Sequence, residues 1–346
     1  MKIDAHFCYN GISLGKDMGA LQELKASASD WEQTYLDFIE NWIHPDEELE
    51  VQTSGSTGVP VRFSASKEAM QSSARMTARF FHAYNGTRAL SVLPVSYIAG
   101  KMMLVRAMTL GWNLTVLKPT AQPFSELIDA FDFAAFTPMQ VAELSDEQME
   151  ILSQFGAVIV GGAPVSDGLR RKLALHSNTV YETYGMAETF SHVAIRKLTS
   201  EPTAFRAMEG VSFEVDDENR LRILAPHLIK EPLQTNDIVE LVGIDSFHYK
   251  GRYDRMINSG GIKIFAEVIE EKLSQILEQP FIIGSVADEI LGERVVLVIE
   301  SQHPVNVDEV KAHISKVLER YEIPKEIRWV PELERTHSGK LKQFKK

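Results

Sequence analysis

Ala157-Val158-Ile159-Val160-Gly161-Gly162-Ala163-Pro164, with Val165 and Ser166 following, is the stretch whose reading decides the fold. Four apolar residues, three of them β-branched, end in two glycines and a proline: a short buried strand running into a turn. Ser166 then caps a helix that carries Leu169, Leu173 and Leu175. Strands and helices alternating in this way predict an α/β sheet with functional loops at the strand ends. Toward the N-terminus, Trp31, Tyr35, Phe38, Ile39 and Trp42 recur at helical spacing until Pro45 stops the pattern, and residues 64–84 read as a second helix capped by Ser64. Toward the C-terminus the texture changes near residue 250. A polar, glycine-bearing segment, GRYDRMINSGGIKI, precedes a helix marked by Val268, Ile269, Leu273, Ile276 and Leu277, the strand VVLVIE at 295–300, and a helix marked by Val310, Ile314, Val317 and Leu318. The expectation is a large α/β domain over residues 1–250 and a smaller α+β domain over 251–346.

Composition narrows the function. At 346 residues the chain exceeds what one compact core ordinarily serves. With 44% apolar and 24% charged residues it falls among soluble globular proteins, and its most apolar stretch, 89–108, is interrupted by Lys101 and Arg106. A net charge of −12 opposes nucleic acid and anionic membrane as partners. The opening MKIDAHFCYN lacks the layout of a secretory signal, and a single cysteine, Cys8, excludes an intramolecular disulfide, so a cytoplasmic location is expected. There is no dinucleotide glycine fingerprint and no His/Cys ligand cluster, which leaves a redox or metal enzyme with little support.

Thr53-Ser54-Gly55-Ser56-Thr57-Gly58 follows the β-like run LEVQ. Its glycines let backbone N–H groups approach phosphate oxygens, and its hydroxyls add donors. It lacks the lysine of a P-loop, and by itself a flexible Ser/Gly turn explains it equally well.

The hexamer with Pro60 resembles the phosphate loop of the adenylate-forming enzymes: acyl-CoA synthetases, luciferases and the adenylation domains of peptide synthetases. Four further segments are similar in the same order, and a glycine turn lies between the hexamer and the first of them. Tyr184-Gly185-Met186-Ala187-Glu188 implies that Tyr184 stacks on adenine and that Glu188 helps hold Mg²⁺ on the phosphates of ATP. Gly161, Gly162, Ala163 and Pro164 imply a wall of the adenine and acyl pockets. Thr235-Asn236-Asp237 stands for Thr-Gly-Asp, with Asp237 accepting from the ribose hydroxyls and Asn236 tolerating a left-handed backbone. The segment from Gly251 through Glu270 resembles the interdomain stretch, implying that Arg252 reaches the ribose or α-phosphate, that Asp254 is the hinge, and that the Gly260-Gly261 loop enters the site when the small domain turns. Arg335-Thr336-His337-Ser338-Gly339-Lys340 implies that Lys340 is the mobile ammonium of the adenylation step; in isolation a solvated basic tail would be the better reading.

For the acid, Tyr97 takes the place of the family's usual histidine, with an ordinary core tyrosine as the alternative. Arg106 stands in an apolar helix and wants an anionic partner, which a second carboxylate on the substrate would supply; a snorkelling surface arginine is the alternative. Lys101 assists or faces water. Together with the Gly100-to-Arg106 spacing this resembles most the o-succinylbenzoate–CoA ligases of menaquinone synthesis. The implied reaction consumes ATP with Mg²⁺ and coenzyme A. Rival readings are another aryl or fatty acyl-CoA ligase, a stand-alone enzyme loading a carrier protein, and a non-catalytic nucleotide-binding protein. Two departures stand out: Val61 replaces the loop's usual lysine, with Arg62 as a substitute, and the similarity begins near residue 50, leaving the sheet reduced or completed in a homodimer.

Overall fold

The computed structural model describes all residues except 16, 17, 53–61, 126–128, 305, 336–340, 343, 345 and 346. The chain opens with a small hairpin, β1 (Cys8–Tyr9) and β2 (Ile12–Ser13), followed by α1 (Met18–Ser27) and α2 (Asp30–Ile43). On α2 the expected stripe is realised: Tyr35, Phe38, Ile39 and Trp42 are buried. Strands β3 (Glu48–Gln52) and β4 (Arg62–Ser66) form a separate antiparallel ribbon, Gln52 opposite Arg62. The next helix, α3 (Lys67–Phe81), starts three residues later than expected. Ser64 lies in β4, and it is Ser66 whose side chain accepts from the Ala69 amide. β-pairing with β3 overrides the helical pattern at the first residues of that stretch.

From here strands and helices alternate: β5 (Arg88–Ser91), α4 (Ile98–Leu110), β6 (Asn113–Val116), β7 (Phe133–Phe136), α5 (Pro138–Ala142), α6 (Asp146–Ser153), β8 (Ala157–Val160), α7 (Asp167–His176) and β9 (Val180–Gly185). β1, β6, β5, β7, β8 and β9 lie side by side and parallel. Both faces are covered, so β7 and β8 are buried at every residue, as a parallel strand demands. Side chains alternate between two cores: Phe133 and Ala135 enter one, Ala134 and Phe136 the other. Ser166 caps α7 as expected and Leu173 is buried, but Leu175 is 84% exposed, because the helix shows the sheet a narrower stripe than three leucines suggest.

Beyond β9 the sheet turns antiparallel through β10 (His192–Lys197), β11 (Phe205–Ala207), β12 (Ser212–Val215), β13 (Arg220–Leu224), β14 (Leu233–Gly243) and β15 (Ser246–Arg252). The order is β12-β13-β14-β15-β11-β10-β9-β8-β7-β5-β6-β1-β2, thirteen strands among the described residues, and the hairpin of β1 and β2 supplies one edge. The turn Tyr253–Arg255 then leads into a second sheet of β16 (Met256–Ser259), β17 (Ile262–Phe265), β18 (Phe281–Asp288), β19 (Gly292–Glu300) and β20 (Glu326–Val330), with α8 (Ala266–Leu273) and α9 (Val307–Ile314). It has its own core around Ile269, Leu273, Val295, Leu297 and Ile314. Both helices are shorter than their apolar markers implied: Ile276, Leu277, Val317 and Leu318 lie past the ends, and Ile276 and Val317 are exposed while Leu318 is buried. The whole is a mixed α/β molecule with one large sheet and a smaller C-terminal α+β unit.

Candidate active site

The parallel strands β5, β8 and β9 end on the same edge, and the strand order reverses at β5, which lies between β6 and β7. A crevice outside the carboxyl ends at such a reversal is where open α/β sheets bind ligands. Three of the sequence-predicted segments sit there. After β8, Gly162, Ala163 and Pro164 are exposed, and Gly162 takes φ +83°. At Gly161 a Cβ would fall 2.2 Å from the Thr183 hydroxyl of β9, so only glycine lets the turn lie so close. The turn is pinned by Glu182, which sequence reasoning passed over. Its buried carboxylate accepts from the Val165 amide at 3.3 Å and from Arg196 Nε at 2.7 Å. Burial raises this carboxyl above its ordinary range, with Arg196 opposing.

After β9 the chain runs through Tyr184, Gly185 and Met186 into a turn at Ala187–Thr189 that leaves Glu188 exposed. Tyr184 donates its hydroxyl to Asp237 Oδ2 at 2.5 Å. Asp237 stands directly opposite Arg252 in the β14–β15 pair, and Arg252 Nη1 lies 3.6 Å from Asp237 Oδ1. Arg252 also donates to both oxygens of Asp254, at 2.9 and 2.8 Å. The structure therefore joins four expected site residues, Tyr184, Asp237, Arg252 and Asp254, in one chain of contacts. Burial raises the Asp237 carboxyl, while Tyr184 and Arg252 pull it back. Thr235 holds the turn of the motif, accepting from the Asp237 amide at 3.0 Å and donating to the Leu221 carbonyl at 2.9 Å. Asn236 lies within β14 and is not among the positive-φ residues, so the left-handed tolerance expected of it is not used.

The third segment follows β5. Tyr97 occupies the N-cap position of α4, and on the first turn Lys101 is half-buried, donating to the Val95 carbonyl at 3.0 Å with Phe38 beneath its ammonium. Burial lowers the Lys101 pKa. Arg106 is 1% exposed, which corrects the surface alternative. Its Nε donates to Thr77 Oγ1 at 3.2 Å and Nη2 to Ser191 Oγ at 2.6 Å, while Nη1 meets only the Met103 sulfur, 3.8 Å away, among the described residues. No carboxylate pairs with it among the described residues, and burial pushes the guanidinium down to about 9. Sequence reasoning missed Thr77, Ser191 and His192, which complete this cluster; the only hint was that Ser191-His192 closely follows the Tyr-Gly motif. The packing explains the link: a Cβ on Gly185 would fall 2.2 Å from the Ser191 carbonyl oxygen, so the motif's glycine lets the arginine's partner come close.

Two expectations, the loop residues Thr53, Ser54, Gly55, Ser56, Thr57 and Gly58, and Lys340, lie outside the described residues. Their flanks are paired: Arg62 is exposed and bonds Glu50 at 3.0 Å, and Arg335, bridged to Leu341, meets Glu300 at 2.8 Å.

A doubly wound sheet with a glycine turn, an aromatic–carboxylate pair at the strand ends and a second C-terminal sheet defines a nucleotide-binding enzyme of the adenylate-forming architecture. The chain belongs to the AMP-binding enzyme family: the family model matches residues 13–228 and that of the family's C-terminal domain residues 281–340. The match from residue 13 corrects the expectation that similarity begins near residue 50. A probable 2-succinylbenzoate–CoA ligase of Mycobacterium tuberculosis is 27% identical over 326 residues, covering 86% of this chain and 83% of the relative. An acyl-CoA synthetase (AMP-forming)/AMP-acid ligase II-like protein from Dyadobacter fermentans is 35% identical, TM-score 0.63, covering 93% of this chain and 95% of that one. The o-succinylbenzoate CoA synthetase of Bacillus subtilis, solved with its acyl-adenylate intermediate, shares the fold at 18% identity, TM-score 0.74, covering 85% of this chain and 67% of that one.

Proposed function

We propose that this chain is an AMP-forming acid–thiol ligase whose acid is o-succinylbenzoate and whose thiol is coenzyme A, a step of menaquinone synthesis. The observation that carries the choice of acid is Arg106, a buried guanidinium near the strand-end crevice with one nitrogen reaching no oxygen acceptor among the described residues. An unpaired buried charge is costly, and a carboxylate of a dicarboxylic substrate would relieve it with charge-assisted hydrogen bonds. Tyr97 and Lys101 stand at the opening of the same helix.

In the first step a carboxylate oxygen of the acid attacks the α-phosphorus of ATP, forming a P–O bond as the bond to pyrophosphate breaks. Asp237 accepts from the ribose hydroxyls, Tyr184 presents its ring to the adenine beside Gly162, Ala163 and Pro164, and Gly185 keeps the turn tight. Arg252 reaches the ribose or α-phosphate, the loop of residues 53–58 cradles the outer phosphates, and Lys340 neutralises the charge that develops between them. Mg²⁺ characteristically takes one or two carboxylates plus substrate phosphates. The exposed Glu188 suits that role, and the described residues hold no cluster of three His, Cys, Asp or Glu that would cage a metal by themselves. In the second step the C-terminal unit turns about Asp254, withdrawing Lys340. The thiol sulfur then attacks the acyl carbon, and AMP leaves with the bridging oxygen. No helix among the described residues is long and apolar enough to cross a membrane.

Incubation with ATP, Mg²⁺, coenzyme A and o-succinylbenzoate should yield a thioester detectable by mass. If another acid is accepted and this one is not, the assignment of the acid fails while adenylation stands. Lys340→Ala should lower pyrophosphate release by roughly 10²-fold or more, yet still form thioester from supplied acyl-adenylate.

A further inference from the structure

Three polar side chains, those of Thr77, Ser191 and His192, meet around Arg106, and their protons can be counted. Thr77 donates to the Ser73 carbonyl at 3.2 Å within α3, which leaves its oxygen to accept from Arg106 Nε and from His192 Nε2, each at 3.2 Å. His192 Nδ1 lies 3.3 Å from the Ser191 hydroxyl, which accepts from Arg106 Nη2 at 2.6 Å. The assignment that satisfies every one of these contacts puts the imidazole proton on Nε2 and lets Nδ1 accept from Ser191. His192 is then neutral. Burial, reinforced by the Arg106 charge, holds it well below the usual imidazole range. The ring is aimed inward by a register shift between His192 and Ala194 where β10 pairs with β9, the kind of bulge that re-aims a side chain beside a site.

The chemistry of this clamp is unusual for a buried arginine. A carboxylate partner would neutralise the guanidinium; two hydroxyls and a neutral imidazole hold it in place and leave its full charge. They grip the Nε–Nη2 edge, and among the described residues Nη1 meets only the Met103 sulfur, at 3.8 Å, and no oxygen. We propose that Thr77 and His192 are positioning residues that, with Ser191, orient Arg106 so that its Nη1 side meets the second carboxylate of the acid and sets the preference for a dicarboxylate. This rests on the reading of Arg106 given above. Neither residue touches the substrate; both act through the arginine.

The test measures pyrophosphate release on a matched pair: a dicarboxylate the enzyme accepts, and the same acid with the carboxylate that is not adenylated blocked as its methyl ester. The readout is the ratio of kcat/KM for the two. The wild type should prefer the free dicarboxylate. Thr77→Val, nearly isosteric, removes the oxygen that fixes Nε and should collapse the ratio about tenfold or more, the range of a hydrogen bond to a charged group. Thr77→Ser should restore most of it. His192→Gln, whose amide both donates and accepts, should retain more of the ratio than His192→Leu. A role in folding alone would lower turnover of both acids alike and leave the ratio where it was. That outcome in Thr77→Val, with the wild-type preference intact, overturns the inference and spares the reading of Arg106. A wild type indifferent to the blocked carboxylate overturns the reading first, before any variant is made, and takes the inference with it.

Discussion

Asp237 shows how a single residue is set for a ligand at some cost to the empty protein. Its carboxylate is buried between Tyr184 and Arg252, and desolvation is the largest influence on it, raising its pKa. An acid raised in the folded state contributes stability that is complete below its unfolded value and is lost as pH rises through its folded value. Asp237→Asn, neutral at every pH, should therefore melt at a higher temperature than wild type near neutrality, and the gap should close on acidification. The same change removes a charged acceptor for the ribose, so the KM for ATP should rise roughly 10- to 100-fold. Thermal melts across pH with steady-state kinetics check both; a lower melting temperature for the variant throughout would refute the account. At this scale the motif letters Tyr184, Gly185 and Asp237 were legible in the sequence. The hydroxyl bond that ties Tyr184 to Asp237 was not, because 53 residues separate them.

At the scale of elements, the glycine turn after β8 is held by an ion pair between neighbouring strands. Glu182 on β9 is buried, Arg196 on β10 sits over it, and the pair stands opposite in the β9–β10 register. Breaking a buried pair strands the remaining charge, so Arg196→Met should cost about 3–5 kcal/mol in urea denaturation. Adding Glu182→Gln should recover part of that loss, and failure to recover would show that Arg196 acts by packing instead. Periodicity foretold β8, α2 and the capped start of α7. It misplaced the start of α3 and overextended α8 and α9, because local pattern carries no information on which residues a partner strand claims or where a core ends.

Over the whole molecule, the chain leaves the large sheet at Arg252 and enters the second at Met256, with only Tyr253–Arg255 between. Asp254 is held there by Arg252 through two hydrogen bonds, a contact that rotation about this turn would have to break or carry along. If the C-terminal unit turns between half-reactions, stiffening the turn should separate them. Asp254→Pro, which fixes φ and deletes the amide donor, should preserve one half-reaction and lower the other at least about tenfold. Pyrophosphate release and thioester formation from isolated acyl-adenylate, measured side by side, decide this; equal losses in both would argue that no turn is needed.

The sequence by itself determined the α/β class, the order of the five family segments, and the presence of an arginine in an apolar helix. These depend on local chemistry: glycine where backbone crowds, β-branched runs where a strand is covered on both sides, a serine where a helix starts. Only the tertiary structure decided that the hairpin of β1 and β2 supplies an edge of the large sheet, that Arg106 is buried without a carboxylate among the described residues, and that Thr77, Ser191 and His192 hold it. Those facts arise from strands and helices distant in sequence meeting across a shared core, as Arg106 meets Thr77 29 residues away and Ser191 85 residues away. Burial and pairing of that kind are set by the closing of the sheet, which no short window of residues encodes.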